Sequence, residues 1–123
     1  MSKKISTLYN YVLRNVRVVD GDTLEADIDL GFGVALIGMK VRLAKVDCPE
    51  VSTEAGVNAR GFTKNWVESK AEGVPIIVSV KNYKKDKYGR ILGDVSSCGE
   101  DLAQMLGING HAKPYDGTGV KPT

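Results

Sequence analysis

The sequence predicts an α+β, mainly β domain: a five-stranded Greek-key barrel of the OB type with two helices. Three observations predict it. Short segments of period-two alternation, rich in β-formers, are separated by turn residues. Helical periodicity is confined to one stretch between the third and fourth strands and another near the end. At 123 residues the chain suits one domain with one core. The expected organisation is a single domain over 1–117 with a flexible tail over 118–123.

Tyr9–Val19, "YNYVLRNVRVV", alternates as a strand. "DGDT" at 20–23 is a turn signal, with Gly21 available for positive φ. "LEADIDL" at 24–30 alternates strictly, with Leu24, Ala26, Ile28 and Leu30 on one face, so the two segments read as a hairpin. "GFGVALIG" at 31–38 reads as a loop or second turn, and Met39–Val46 as the third strand. Cys48-Pro49 stops that strand, because proline brings no N–H to the ladder. Ser52 or Thr53 fits a helix N-cap, with Glu54 in the first turn. Ala55, Ala59, Phe62 and Trp66 recur at helical spacing as far as Glu72; Gly56 and Gly61 weaken the helix and Gly73 ends it. "VPIIVSV" at 74–80 is a strand, 81–90 a basic loop, "RILGDVSS" the last strand and "SCGE" a turn. "EDLAQMLGIN" at 100–109 is a short helix with Leu102, Met105 and Leu106 inward.

Composition excludes several classes. Hydrophobic content of 42% and charged content of 26% belong to a chain that folds, not to a disordered one. Two cysteines make no disulfide framework and no zinc motif. Cys48 reads as a small buried thiol and Cys98 as a turn residue. No apolar run has signal-peptide or membrane-span character, so a cytoplasmic monomer without membrane contact is expected. Net charge is only +2, but Lys81, Lys84, Lys85, Lys87 and Arg90 crowd into one segment. That suits a polyanion, or a solvated loop. Tyr83 and Tyr88 interleave with these charges, as in surfaces that stack bases while holding phosphates.

Three groups of residues could carry chemistry. Asp20 and Asp22 project to one side of an extended segment. At ~4 Å two carboxylates repel by about 4 kcal/mol at an effective dielectric of 20, a penalty a divalent cation removes. Alone, "DGDT" fits an Asx turn better than a metal site. Asp47 and Glu50 follow the third strand. Asp47 could share a cation with Asp22, or be a turn residue; Glu50 could accept a proton, or sit favourably near a helix start. Oxygen donors favour calcium, magnesium or manganese. Arg42 and Arg90 offer planar forks for phosphate. Strict alternation puts Arg42 and Asp47 on opposite faces, so for them to meet the chain must bulge or turn out near 46–48. His111 has no triad-like neighbours and reads as a surface or packing residue.

"VVDGDTLEADI", "VRLAKVDCPE" and "DKYGRILGDV", in that order with a helix between the last two, resemble the staphylococcal nuclease family over about residues 12–115. The resemblance implies an OB-type barrel that hydrolyses phosphodiesters of DNA and RNA with calcium, leaving 3′-phosphate ends. By position, Asp22 and Asp47 match its metal-binding carboxylates. Cys48 falls where a backbone carbonyl completes the set. Glu50 matches the general base, and Arg42 and Arg90 the phosphate-gripping arginines. Lys87, Tyr88 and, across a gap in "HAKPYDG", Tyr115 match nucleotide contacts, to which the basic run adds Lys84 and Lys85. The long basic C-terminal helix of the best-known member has no counterpart before "GTGVKPT" ends. A catalytically silent nucleic-acid-binding OB module is the alternative; it has no use for Asp22, Asp47, Glu50 and two arginines together. A protein-interaction domain on the same fold is a third reading.

Overall fold

A computed structural model describes residues 9–70, 73–82 and 89–114. The elements in chain order are β1 (Asn10–Asp20), β2 (Thr23–Gly31), β3 (Val34–Leu43), β4 (Val46–Asp47), α1 (Glu54–Glu68), β5 (Ile76–Asn82), β6 (Ile91–Ser97), β7 (Glu100–Asp101), α2 (Leu102–Ile108) and β8 (Lys113–Pro114). The sheet runs β3-β2-β1-β5-β6-β7 and closes through a β3–β6 pairing, giving the five-stranded barrel β1-β2-β3-β6-β5. All its pairs are antiparallel except the closing one, where Val41, Arg42 and Leu43 face Ile91, Leu92 and Gly93 in parallel. Closure leaves the central strands no open edge and ties Arg42 to the start of β6.

The alternation in β2 holds for Leu24, Ala26 and Ile28, which are fully buried beside Val41, Leu43, Val78 and Val95. Leu30 is exposed, because the β2–β3 hairpin overhangs the barrel at its tip. α1 contributes Ala59 and Trp66 to the core, and α2 contributes Leu102, Ala103 and Leu106. No helix among the described residues is long and apolar enough to cross a membrane.

Several boundaries differ from expectation. The loop expected over 31–38 contracts to a turn at Gly31, Phe32 and Gly33, all with positive φ, and 34–38 belongs to β3. Its exposed apolar residues gave no alternation to mark a strand. β3 stops at Leu43, not Val46. A bend at Ala44–Lys45 follows, and β4 pairs with β8 in a separate two-stranded sheet. α1 ends at Glu68 with Ser69 as its C-cap, four residues short of Glu72. Ser69 Oγ donates to the Trp66 carbonyl (2.7 Å), diverting it from the helix ladder. Ala55 is exposed, and Gly56 takes the inward place in that turn. α2 begins at Leu102 because Asp101 is its N-cap, accepting from Ala103 N at 3.1 Å. Gly21 is absent from the positive-φ positions; close approach, not backbone freedom, demands it.

Candidate functional site

The site starts at the turn between β1 and β2. A Cβ on Gly21 would fall 2.9 Å from both Ala59 Cβ and Cys48 Sγ, so only glycine lets α1 and the segment after β4 close on this turn. Thr63 Oγ1 of α1 donates to the Gly21 carbonyl at 2.7 Å. Asp22, next in the chain, is buried, with Thr23 Oγ1 donating to its Oδ1 (3.1 Å) and Cys48 N to its Oδ2 (2.9 Å). The backbone of Asp22 accepts from Leu43 N at 2.9 Å, which registers the turn against the end of β3.

Arg42 arrives from β3 and is 8% exposed, so it is no surface charge. Its Nη1 donates to the carbonyls of Leu43 (2.6 Å) and Val46 (2.7 Å). Its Nη2 lies 2.9 Å from Asp47 Oδ1 and 3.5 Å from Asp22 Oδ2. One guanidinium nitrogen thus bridges two buried carboxylates from different segments. The predicted departure from the strand occurs, but at Ala44–Lys45, just upstream of the expected place. Ala44 N donates to Gly93 O (3.0 Å), and Lys45 Nζ reaches Asp101 (3.0 Å) and Asp94 (3.7 Å). With the strand broken there, Asp47 turns back towards Arg42.

Cys48 is buried, and its thiol is pushed up to about 12, first by burial and then by the Asp22 carboxylate. Such a thiol stays protonated and is a poor nucleophile. Its backbone N–H serves Asp22 instead. Glu50 is exposed, three residues after Asp47 and before α1. Its carbonyl accepts from Thr53 N (3.0 Å) and Thr53 Oγ1 (2.7 Å), and that hydroxyl also caps α1 by accepting from Gly56 N (3.0 Å). Arg90 is half-buried at the entry to β6, two residues before Leu92, the register partner of Arg42. Lys84, Lys85, Lys87, Tyr88 and Tyr115 lie outside the described residues. His111 packs at a tilt against Phe62, with ring centroids 5.0 Å apart and 39° between the planes.

The structure therefore brings Asp22, Arg42, Asp47 and the Cys48 backbone together, and sets Arg90 just before β6, the strand that pairs with the Arg42 end of β3. Sequence reasoning missed Gly21, Thr63 and Gly56, which hold the frame. Gly21 and Thr63 act through contacts across the fold, and Gly56 through the Glu50 carbonyl just before α1; no local periodicity signals any of them. No group of three or more His, Cys, Asp or Glu side chains among the described residues could by itself hold a metal ion. Asp22 and Asp47 still present hard carboxylate oxygens to one Arg42 nitrogen, the donor type that calcium and magnesium take. By donor type these residues suit such an ion.

The family model described as Staphylococcal nuclease homologue matches residues 40–121. A protein of Escherichia coli named "Uncharacterized endonuclease" is 33% identical over 110 residues, covering 89% of this chain and 64% of its own length. Its counterpart in Escherichia coli O157:H7, of the same name and coverage, is 32% identical. "Endonuclease YhcR" of Bacillus subtilis (strain 168) is 33% identical over 108 residues, covering 80% of this chain and 8% of its own length.

Proposed function

The chain belongs to the staphylococcal nuclease homologue family, and from that premise we propose that it is a phosphodiester hydrolase acting on DNA, RNA or both with a hard divalent cation. Calcium is the foremost candidate, with magnesium or manganese next, and the products carry 3′-phosphate ends. What carries this reading is the convergence of Asp22, Arg42 and Asp47 from three segments on one buried point. A silent binding module would have no reason to bury two carboxylates there.

Asp22, Asp47 and the Cys48 carbonyl would hold the ion. When bound, it supplies charge that polarises the scissile phosphate and acidifies water. With one guanidinium between two carboxylates the cluster carries a net negative charge and repels phosphate. With a divalent cation held there the sign would reverse, and Nη2 of Arg42 would turn from the carboxylates to substrate. Arg42 and Arg90 then meet the charge that grows on the phosphoryl oxygens. Glu50 takes the proton of the attacking water; the bond to the 5′ oxygen breaks, that oxygen gains a proton, and phosphate stays on the 3′ side. Lys84, Lys85, Lys87, Tyr88 and Tyr115 hold the flanking nucleotides.

The test is digestion of single-stranded and duplex DNA and RNA with calcium, magnesium, manganese or chelator, followed by end analysis. Hydrolysis that stops with chelator and leaves 3′-phosphates is the expected result. Binding without hydrolysis under every condition would leave a silent module and overturn the proposal.

A further inference from the structure

β1 is bent at a residue the site does not use. Asn15 is left-handed, at φ 52°, with its Nδ2 donating to Asp27 at 2.8 Å. The β1–β2 register slips between Arg14 and Arg17, so β1 carries an extra residue and bends where α1 packs on it. Between the two elements lies a cleft of about 370 Å³, in the range that takes one small organic group.

The floor of the cleft is apolar: Val16, Val18 and Val67. Its rim carries Arg17, Arg60 and Lys64, with Glu68 the one acidic lining residue. Arg60 is fixed over the strand, Nε donating to Val19 O (3.1 Å) and Nη2 to Val18 O (3.3 Å). Arg17 leans on Glu25 at 3.2 Å but keeps 57% of its side chain exposed. The cleft also adjoins the acidic turn. Ala59 and Thr63, which flank Arg60 on α1, are the residues that touch Gly21. At ~3.3 Å per strand residue, Val18 is at most about 13 Å from Asp22.

We propose that this cleft is an additional nucleotide subsite, holding the sugar-phosphate of a strand that continues beyond the bond at Asp22 and Asp47. Arg60, Lys64 and the part-exposed Arg17 outnumber Glu68 and Glu25, the carboxylate that Arg17 meets, which favours a phosphate, and the valine floor covers the sugar or base face. The identity of the ligand rests on the nuclease reading; the cleft and its charge do not.

The test is fluorescence anisotropy with labelled single-stranded DNA, a long strand and a tetranucleotide, titrated across salt in chelator so that nothing is cleaved. Lys64→Glu should weaken long-strand binding several-fold, with little change for the tetranucleotide. Its salt slope should fall by roughly 0.7 for each phosphate that is no longer neutralised. Glu68→Lys should tighten long-strand binding, a gain that misfolding cannot produce. If neither variant moves long-strand affinity, if both lengths shift equally, or if the wild type binds neither, the subsite is wrong. Binding with the expected pattern and no hydrolysis with metal would overturn the nuclease proposal and leave the subsite. Hydrolysis with unaltered Lys64→Glu and Glu68→Lys binding would do the reverse.

Discussion

At the scale of single residues, Arg42 is where stability and the proposed function meet. Its guanidinium is the counter-charge for two carboxylates that are each 6% exposed. Removing one partner of such a buried cluster costs about 3–5 kcal/mol, because charge is left uncompensated. Arg42→Gln should therefore lower Tm markedly without metal. A divalent cation supplies the missing positive charge, so calcium should raise the Tm of Arg42→Gln by more than it raises the wild type's. At a hundredfold excess over its Kd, the ion contributes about 2.7 kcal/mol. Thermal unfolding of both proteins with calcium and with chelator measures this; equal shifts would mean that the ion does not bind between Asp22 and Asp47. Glu50 and Arg90 differ from Arg42 in burial, the one exposed and the other half-buried. Arg90→Ala and Glu50→Gln should keep wild-type Tm while activity falls, by roughly 10²–10³ for the arginine and 10²–10⁴ for Glu50 as the proposed general base. Wild-type turnover in both would remove them from the chemistry.

At the scale of elements, Gly56 gives a prediction whose sign opposes helix propensity. It lies in the first turn of α1, where alanine ordinarily gains about 1 kcal/mol over glycine. Here a Cβ would fall 1.7 Å from the Glu50 carbonyl oxygen and 2.8 Å from Val51 N, both backbone atoms that cannot swing aside. Gly56→Ala should thus destabilise, by about 1–3 kcal/mol as overpacking does, and displace Glu50. Denaturant unfolding and kcat should fall together; a more stable variant with full activity would refute this account of the helix start. The same residue shows what was legible in the sequence. Gly56 reads there as a weak point of the helix, because propensity scores the residue alone and not the Glu50 carbonyl that folds back onto it. The barrel strands with a buried face were legible, since Leu24, Ala26 and Ile28 carry period two into the core. The overhanging start of β3 was not, because Val34, Leu36 and Ile37 are exposed and break the pattern. The candidate cluster of Asp22, Arg42 and Asp47 was legible as residue types in order. Their meeting was not, because it depends on Ala44 bonding to Gly93 and Lys45 to Asp101, pairings distant in sequence.

At the scale of the whole molecule, the acid response separates two ends of the barrel. Asp27 and Asp29 on the overhanging hairpin are held below the ordinary carboxylate range, Asp27 by Asn15 and the Gly38 N–H, Asp29 by the Gly31 N–H and Arg14. Glu100, at the end where α1 meets β7, is lowered first by Lys70 and then by Trp66. Its Oε1 accepts from Trp66 Nε1 at 2.6 Å and from Lys70 Nζ at 2.9 Å, while the Lys70 amine sits 4.4 Å from the Trp66 ring centre. A carboxylate whose pKa is lower folded than unfolded stabilises fully above the unfolded value, 4.5 for Glu100, and loses that contribution as pH falls through the folded value. All three groups therefore act with one sign, and stability should decline with acid from pH ~4.5 downward. Trp66 is the only tryptophan of the chain, so its emission reports the Glu100 end alone. Native-state Trp66 emission should titrate below pH 4.5 as Glu100 gains its proton and releases the indole N–H. In Glu100→Gln that step should vanish, while the acid decline set by Asp27 and Asp29 persists in circular dichroism. An emission step unchanged in Glu100→Gln would mean that another group senses the proton, and that α1 is fastened to the barrel end by packing rather than by this carboxylate.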